Sequence, residues 1–110
     1  MGVSIKQLWA PQEVGTALAT VYTVPASTTG ELVNVIFTNT TTTAKKVRLH
    51  VIPSAGAAGT GNALVYDFSL DIPGLPYKFP LGLIMPAGSF VQLVADAAGV
   101  TSTGNGLEVV

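Results

Sequence analysis

Apolar and polar positions along this chain alternate in short runs, and Pro, Gly and Thr close each run. A period of two is the signature of strands with one face buried. Lys45–Pro53 shows it most cleanly: Val47, Leu49 and Val51 point one way, and Lys46, Arg48, His50 and Ile52 the other. Ala63–Ile72 repeats the pattern, with Leu64, Tyr66, Phe68 and Leu70 set against Val65, Asp67, Ser69 and Asp71. Glu31–Asn39 is the strongest strand. Its Leu32, Val33, Val35, Ile36 and Phe37 fall on both parities, which predicts cover on both faces, from an opposing sheet and from a neighbouring subunit.

Thr16–Val24 and Ser89–Ala97 read as further strands, Tyr77–Leu83 as an edge strand interrupted by Pro80, and Leu107–Val110 as a closing strand. Ala26–Gly30, Pro73–Pro76 and Met85–Gly88 are turns; Asn39–Ala44, Ser54–Asn62 and Ala98–Gly106 are loops. No stretch has the i, i+3, i+4 spacing of a long amphipathic helix. About seven or eight short strands at this spacing predict an all-β fold, an antiparallel β-sandwich of jelly-roll or Greek-key type. Val24-Pro25-Ala26-Ser27 and Met85-Pro86-Ala87-Gly88 echo one another, as equivalent turns in the two halves would.

Val3–Trp9 alternates only loosely and reads as a strand or an arm, and Ala10-Pro11-Gln12-Glu13 breaks the pattern. Residues 1–15 are therefore read as an N-terminal arm or docking segment, and residues 16–110 as the sandwich. Trp9 has two readings. It either plugs one end of the core or, flanked by Lys6, Gln7 and Pro11, anchors the arm on a partner, with Leu8 and Pro11 as the other docking candidates.

Composition narrows the function. The chain has 110 residues, one domain's worth, of which 48% are hydrophobic and only 10% charged. Its mean hydropathy of +0.53 is high for a small soluble monomer, and the apolar surplus points to contacts between subunits. A net charge of −1, with only Lys45, Lys46 and Arg48 clustered, argues against nucleic acid as a partner. No apolar run approaches a membrane span, no signal peptide is expected, and the absence of Cys removes disulfides and thiolate metal sites.

Little is left for catalysis, and no cofactor is expected. His50 is the only histidine and has no recognisable nucleophile or orienting partner, so it reads as a partly exposed strand residue. Asp67, Asp71 and Asp96 could form a carboxylate cluster for Ca²⁺, but Asp67 and Asp71 lie at even spacing on the less apolar face of one strand and read as a solvated face rather than the tight acidic loop Ca²⁺ needs. The Gly/Ala stretch Ala55–Asn62 lacks the following helix and Lys of a phosphate cradle. The tract Thr40–Thr43 occurs once, where an ordered-surface binder would repeat it, and reads as a loop.

Two stretches carry a family resemblance. Thr20-Val21-Tyr22-Thr23-Val24-Pro25-Ala26 leads into Leu32–Asn39 and Val47–Pro53. Leu83-Ile84-Met85-Pro86-Ala87-Gly88-Ser89 leads into Val91–Ala95 and Gly106-Leu107-Glu108-Val109. Together they resemble small virion proteins of tailed bacteriophages, found as head-decoration, head-fibre or tail-associated β-sandwiches. The chain departs from that pattern at Ser89, where an acidic residue is usual. The resemblance implies a non-enzymatic virion component, assembled in the host cytoplasm. It implies a homo-oligomer, often a trimer, that docks on the major capsid protein or other virion proteins and stabilises the lattice as a decoration or cement protein. A tail or fibre module that recognises a host receptor or glycan is the alternative.

Overall fold

A computed structural model describes residues 2–110. Eight strands follow one another among them: β1 (Val3–Glu13), β2 (Ala19–Thr23), β3 (Thr29–Asn39), β4 (Lys45–Ile52), β5 (Ala63–Leu70), β6 (Pro76–Met85), β7 (Phe90–Ala95) and β8 (Val100–Val109). A single 3₁₀ turn, Thr60–Asn62, precedes β5. The strands form two four-stranded sheets, ordered β1-β8-β3-β6 and β2-β7-β4-β5. All pairings are antiparallel, and β1 pairs β8, β2 pairs β7, β3 pairs β6 and β4 pairs β5. The chain is thus one long hairpin, turned at β4–β5 and rolled so that alternate strand pairs fall in opposite sheets. That is a jelly roll.

The two Pro-Ala-small turns are structural equivalents. Pro25-Ala26-Ser27 links β2 to β3 and Pro86-Ala87-Gly88 links β6 to β7. Both place their third residue in the left-handed region, Ser27 at φ 57° and Gly88 at φ 83°. The rolled hairpin sets them side by side, where the Val24 N–H donates to the Ser89 carbonyl at 2.8 Å and the Gly88 N–H to the Val24 carbonyl at 3.0 Å.

Between the sheets lie Leu32, Val35, Phe37, Val47, Leu49, Leu70, Met85, Val91, Leu93 and Val100, all essentially inaccessible. Fully burying such side chains is worth roughly 1.5–3 kcal/mol each against leaving them exposed. The open side between edge strands β5 and β6 is closed by aromatics. Phe79 meets Phe37 edge-on at 5.8 Å and Phe68 at 5.0 Å, and Phe68 meets Tyr77 at 5.7 Å.

Two expectations need correction. Residues 1–15 are not an arm apart from the sandwich: Val3–Glu13 is β1, hydrogen-bonded to β8. An extra residue at Leu8 bulges the strand, so consecutive Leu8 and Trp9 both turn inward and are buried. This double inward step is what blurs the alternation in the sequence. Ala98–Gly106 is likewise not a loop. From Val100 onward it forms β8, which lies between β1 and β3. Its inward residues Val100, Ser102, Gly104 and Gly106 are buried but small, because the volume above them is filled by Trp9 and Leu8 from β1.

Candidate functional site

The two outer faces of the sandwich differ in chemistry. On the β2-β7-β4-β5 sheet, several polar side chains are paired, and Leu18, Leu64 and Tyr66 are exposed beside them. Arg48 donates to both carboxylate oxygens of Asp67, at 2.6 and 3.1 Å, and its guanidinium lies 4.2 Å from the centroid of the Tyr66 ring. The ion pair holds the Asp67 carboxyl below its usual range, chiefly through the hydrogen bond from Arg48. Asp96 accepts the Lys46 N–H at 3.0 Å. Thr16, Lys46, Arg48, Asp67 and Asp96 border a shallow open depression of about 260 Å³.

The Gly/Ala segment between β4 and β5 folds back over this face. Gly56 sits against Ile52, which is fully buried although it lies outside the main core. His50 is buried beside it, rather than partly exposed as expected. Its Nδ1 lies 2.9 Å from Asn62 Oδ1, and Asn62 ties down the loop by donating to the Ala57 carbonyl and accepting from the Gly59 N–H. His50 thus serves to anchor a loop. Asp67 and Asp96 border the same depression but Asp71 does not, and the described residues contain no group of three or more His, Cys, Asp or Glu able to hold a metal ion.

The outer face of the β1-β8-β3-β6 sheet is mostly apolar over one half. Register places Ile5, Leu107, Glu31 and Ile84 in one row across all four strands. Val3 and Val109 are the start of the next row, and Val33 bulges out of β3 alongside. Ile5 is 87% exposed, Val3 63% and Ile84 60%. The other half of the face is more polar, with Thr101, Thr103, Thr38 and Lys78 around a half-buried Ile36. The mixed parity of Glu31–Asn39 arises in part from the bulge at Val33, which lets Leu32 and Val35 both face the core.

At the same end, between the sheets, Glu108 accepts from the Tyr22 hydroxyl and from Lys6 Nζ at 3.0 Å. The Tyr22 hydrogen bond, followed by Lys6, holds the Glu108 carboxyl below its usual range. Burial, with the neighbouring carboxylate, pushes the Tyr22 phenol well above its own.

Of the three residues expected to dock on a partner, Leu8 and Trp9 lie in the core and Pro11 is exposed on β1. The core reading of Trp9 holds, and the three do not form a shared exposed anchor. Sequence reasoning passed over Val3 and Ile5, whose exposure follows only once β1 is placed at a sheet edge.

No family model and no curated protein matches the chain. Among solved structures, a chain of infectious bursal disease virus, Gx strain, superposes with a TM-score of 0.52 at 9% identity, covering 97% of this chain and 31% of its own length. A chain of the Gt strain gives a TM-score of 0.49 at 12% identity, covering 97% and 32%. This chain therefore spans about a third of the length of the viral chains it resembles. At such identity the likeness is one of fold, and it supports the β-sandwich.

Proposed function

We propose that this protein is a structural component of a virion, and that it docks on the outer shell as a decoration or cement protein. The observation that carries the reading is the complete jelly roll with one outer half-face left mostly apolar, from Ile5 across Leu107 to Ile84, with Glu31 as the charged member of that row. Four strands at ~4.8 Å spacing and ~5 residues at ~3.3 Å make a half-face of roughly 300 Å². That is less than half of the ~800 Å² per partner of a standard interface, so single contacts are weak and repetition over a lattice has to supply the binding. The fold likeness to a chain from a virus, and the sequence resemblance to tailed-phage virion proteins, support the same reading. Many weak docking contacts repeated over a lattice stabilise it by mass action.

The test is the protein content of purified particles of the virus that encodes the chain. The expected result is a copy number that follows shell area, with binding to undecorated shells lost in Ile84→Lys. Absence from the particles overturns the proposal, and a copy number fixed to the tail moves the protein there.

One observation favours the alternative of receptor recognition. Tyr66 is 50% exposed and carries Arg48 on its ring, beside the polar depression. A glycan-array signal abolished by Tyr66→Ala would favour this second reading.

A further inference from the structure

A jelly roll leaves four sheet edges, and unpaired edges are templates for another strand. Three of the four are blocked here. Edge strand β2 has only five residues and a register break between Thr20 and Tyr22. The left-handed Asp67, at φ 53°, lies within β5, whose register with β4 is broken. Pro76, Pro80 and the left-handed Gly82 interrupt β6.

The fourth edge, β1, is irregular only from Leu8 onward. Val3-Ser4-Ile5-Lys6-Gln7 pairs with β8 without a break. Gly2 and Val110 exchange both backbone hydrogen bonds, at 3.1 and 2.9 Å. Because bonded and non-bonded pairs alternate in an antiparallel ladder, Ser4 and Lys6 bond toward β8. Val3, Ile5 and Gln7 direct their N–H and C=O groups away from it. This free edge also carries Ile5, the most exposed large apolar side chain among the described residues.

We propose that Val3–Gln7 pairs antiparallel with the same segment of a second copy of this chain, about a two-fold axis at Ile5, so that the two sheets become one. The segment is complementary to itself. Ile5 faces Ile5 of the copy and exchanges both hydrogen bonds with it, Val3 faces Gln7, and Ser4 faces Lys6. Lys6 is neutralised within its own subunit by Glu108 at 3.0 Å, so no bare like charges meet. The apolar rows of the two faces become continuous across the axis. Antiparallel pairing is isologous and closes at two copies, unlike the trimer implied by the phage resemblance. The inference does not depend on a virion role.

Five paired residues bury less than the ~1,600 Å² of a standard interface, so association is expected in the micromolar range. Sedimentation of the full chain, from about 1 μM to about 1 mM, should show a monomer–dimer equilibrium. Ile5→Pro removes a donor that faces away from β8, so it should leave the fold intact by circular dichroism. It should weaken dimerisation about ten- to a hundred-fold, through loss of the two central bonds. Ile5→Lys, which keeps every backbone group, is the second variant and should weaken it comparably. Ile84→Lys, on the same face but at the far edge of the sheet, should leave the dimer unchanged. A monomer throughout that range, a trimer, an undiminished dimer in both folded Ile5 variants, or a dimer broken by Ile84→Lys would each overturn the proposal.

Discussion

The indole of Trp9 rests directly on the backbone of Gly104, so closely that a Cβ on Gly104 would lie 2.4 Å from both Cη2 and Cζ3 of the ring. Ser102, two residues earlier on the same strand, accepts from the indole Nε1 at 3.3 Å. Residues 93 apart in sequence hold each other's place: β8 is small so that β1 can be large. Gly104→Ala should therefore destabilise the fold by about 1–3 kcal/mol through overpacking, and Trp9→Ala by about 3–5 kcal/mol through the cavity it leaves. Urea unfolding of both single variants and the double variant should give a sum of single effects larger than the double, because the second change relieves the first. Additive effects would mean that the two residues do not meet.

Deletion of residues 2–12 separates an arm from a strand. As part of β1 the segment supplies Leu8 and Trp9 to the core and an entire hydrogen-bonding partner to β8. The truncated chain should lose its cooperative thermal transition, since losses of this size rival the ~5–15 kcal/mol stability of a whole domain. A truncated protein that melts cooperatively near the full-length temperature would restore the reading of residues 1–15 as a detachable docking segment.

The eight-strand sandwich was legible because Val47, Leu49, Phe37 and their neighbours keep period two. The Pro80 interruption also marks an edge strand, β6, as the sequence implied. What escaped was governed by contacts between distant residues. The Thr/Ser/Gly run of β8 resembles a loop until Trp9 is placed over it. The bulge at Leu8 breaks the alternation in the strand that needs it most. His50 was placed correctly on the face shared with Arg48 and Ile52, but its burial depends on a loop of small residues whose backbone does the covering. Exposure of Val3 and Ile5 is a property of strand order, which no local pattern encodes.

The Glu108 carboxylate ties stability to pH at the acid end. Its pKa is lowered in the folded state by Tyr22 and then Lys6. The stability it contributes is therefore present above the ordinary Glu value of about 4.3 and is lost as pH falls through the lower folded value. Tyr22 acts at the other end. Its folded pKa is raised, so its contribution holds below about 10 and is lost as pH rises beyond that. Urea midpoints across the pH range should show Glu108→Gln flatter than the parent at the acid limb and Tyr22→Phe flatter at the alkaline limb. Parallel curves would remove the triad from the stability of this end of the sandwich.

Asn39 organises the threonine loop from inside. Its side chain is fully buried, and its amide group donates to the carbonyls of Thr43 at 2.7 Å and Leu70 at 3.0 Å. Its oxygen accepts from the Thr41 N–H at 2.9 Å and the Thr41 hydroxyl at 2.7 Å. The consecutive threonines wrap one satisfied amide, and Thr41 then packs against Gly99 at the start of β8. Asn39→Asp preserves shape and both acceptor contacts but aims a carboxylate oxygen at two carbonyls. At neutral pH the variant should lose more than ~3 kcal/mol, the cost of a buried charge without a partner. The fold should raise the pKa of the introduced carboxyl, since its protonated form can donate to one carbonyl and its ionised form to none. The deficit should therefore shrink as pH falls through that raised value toward the ordinary Asp range near 3.9, opposite in sense to the acid-limb loss through Glu108. Urea unfolding of parent and variant from neutral to acid pH checks this directly. A deficit that stays constant or grows on acidification would mean that the amide donors are not what holds the loop.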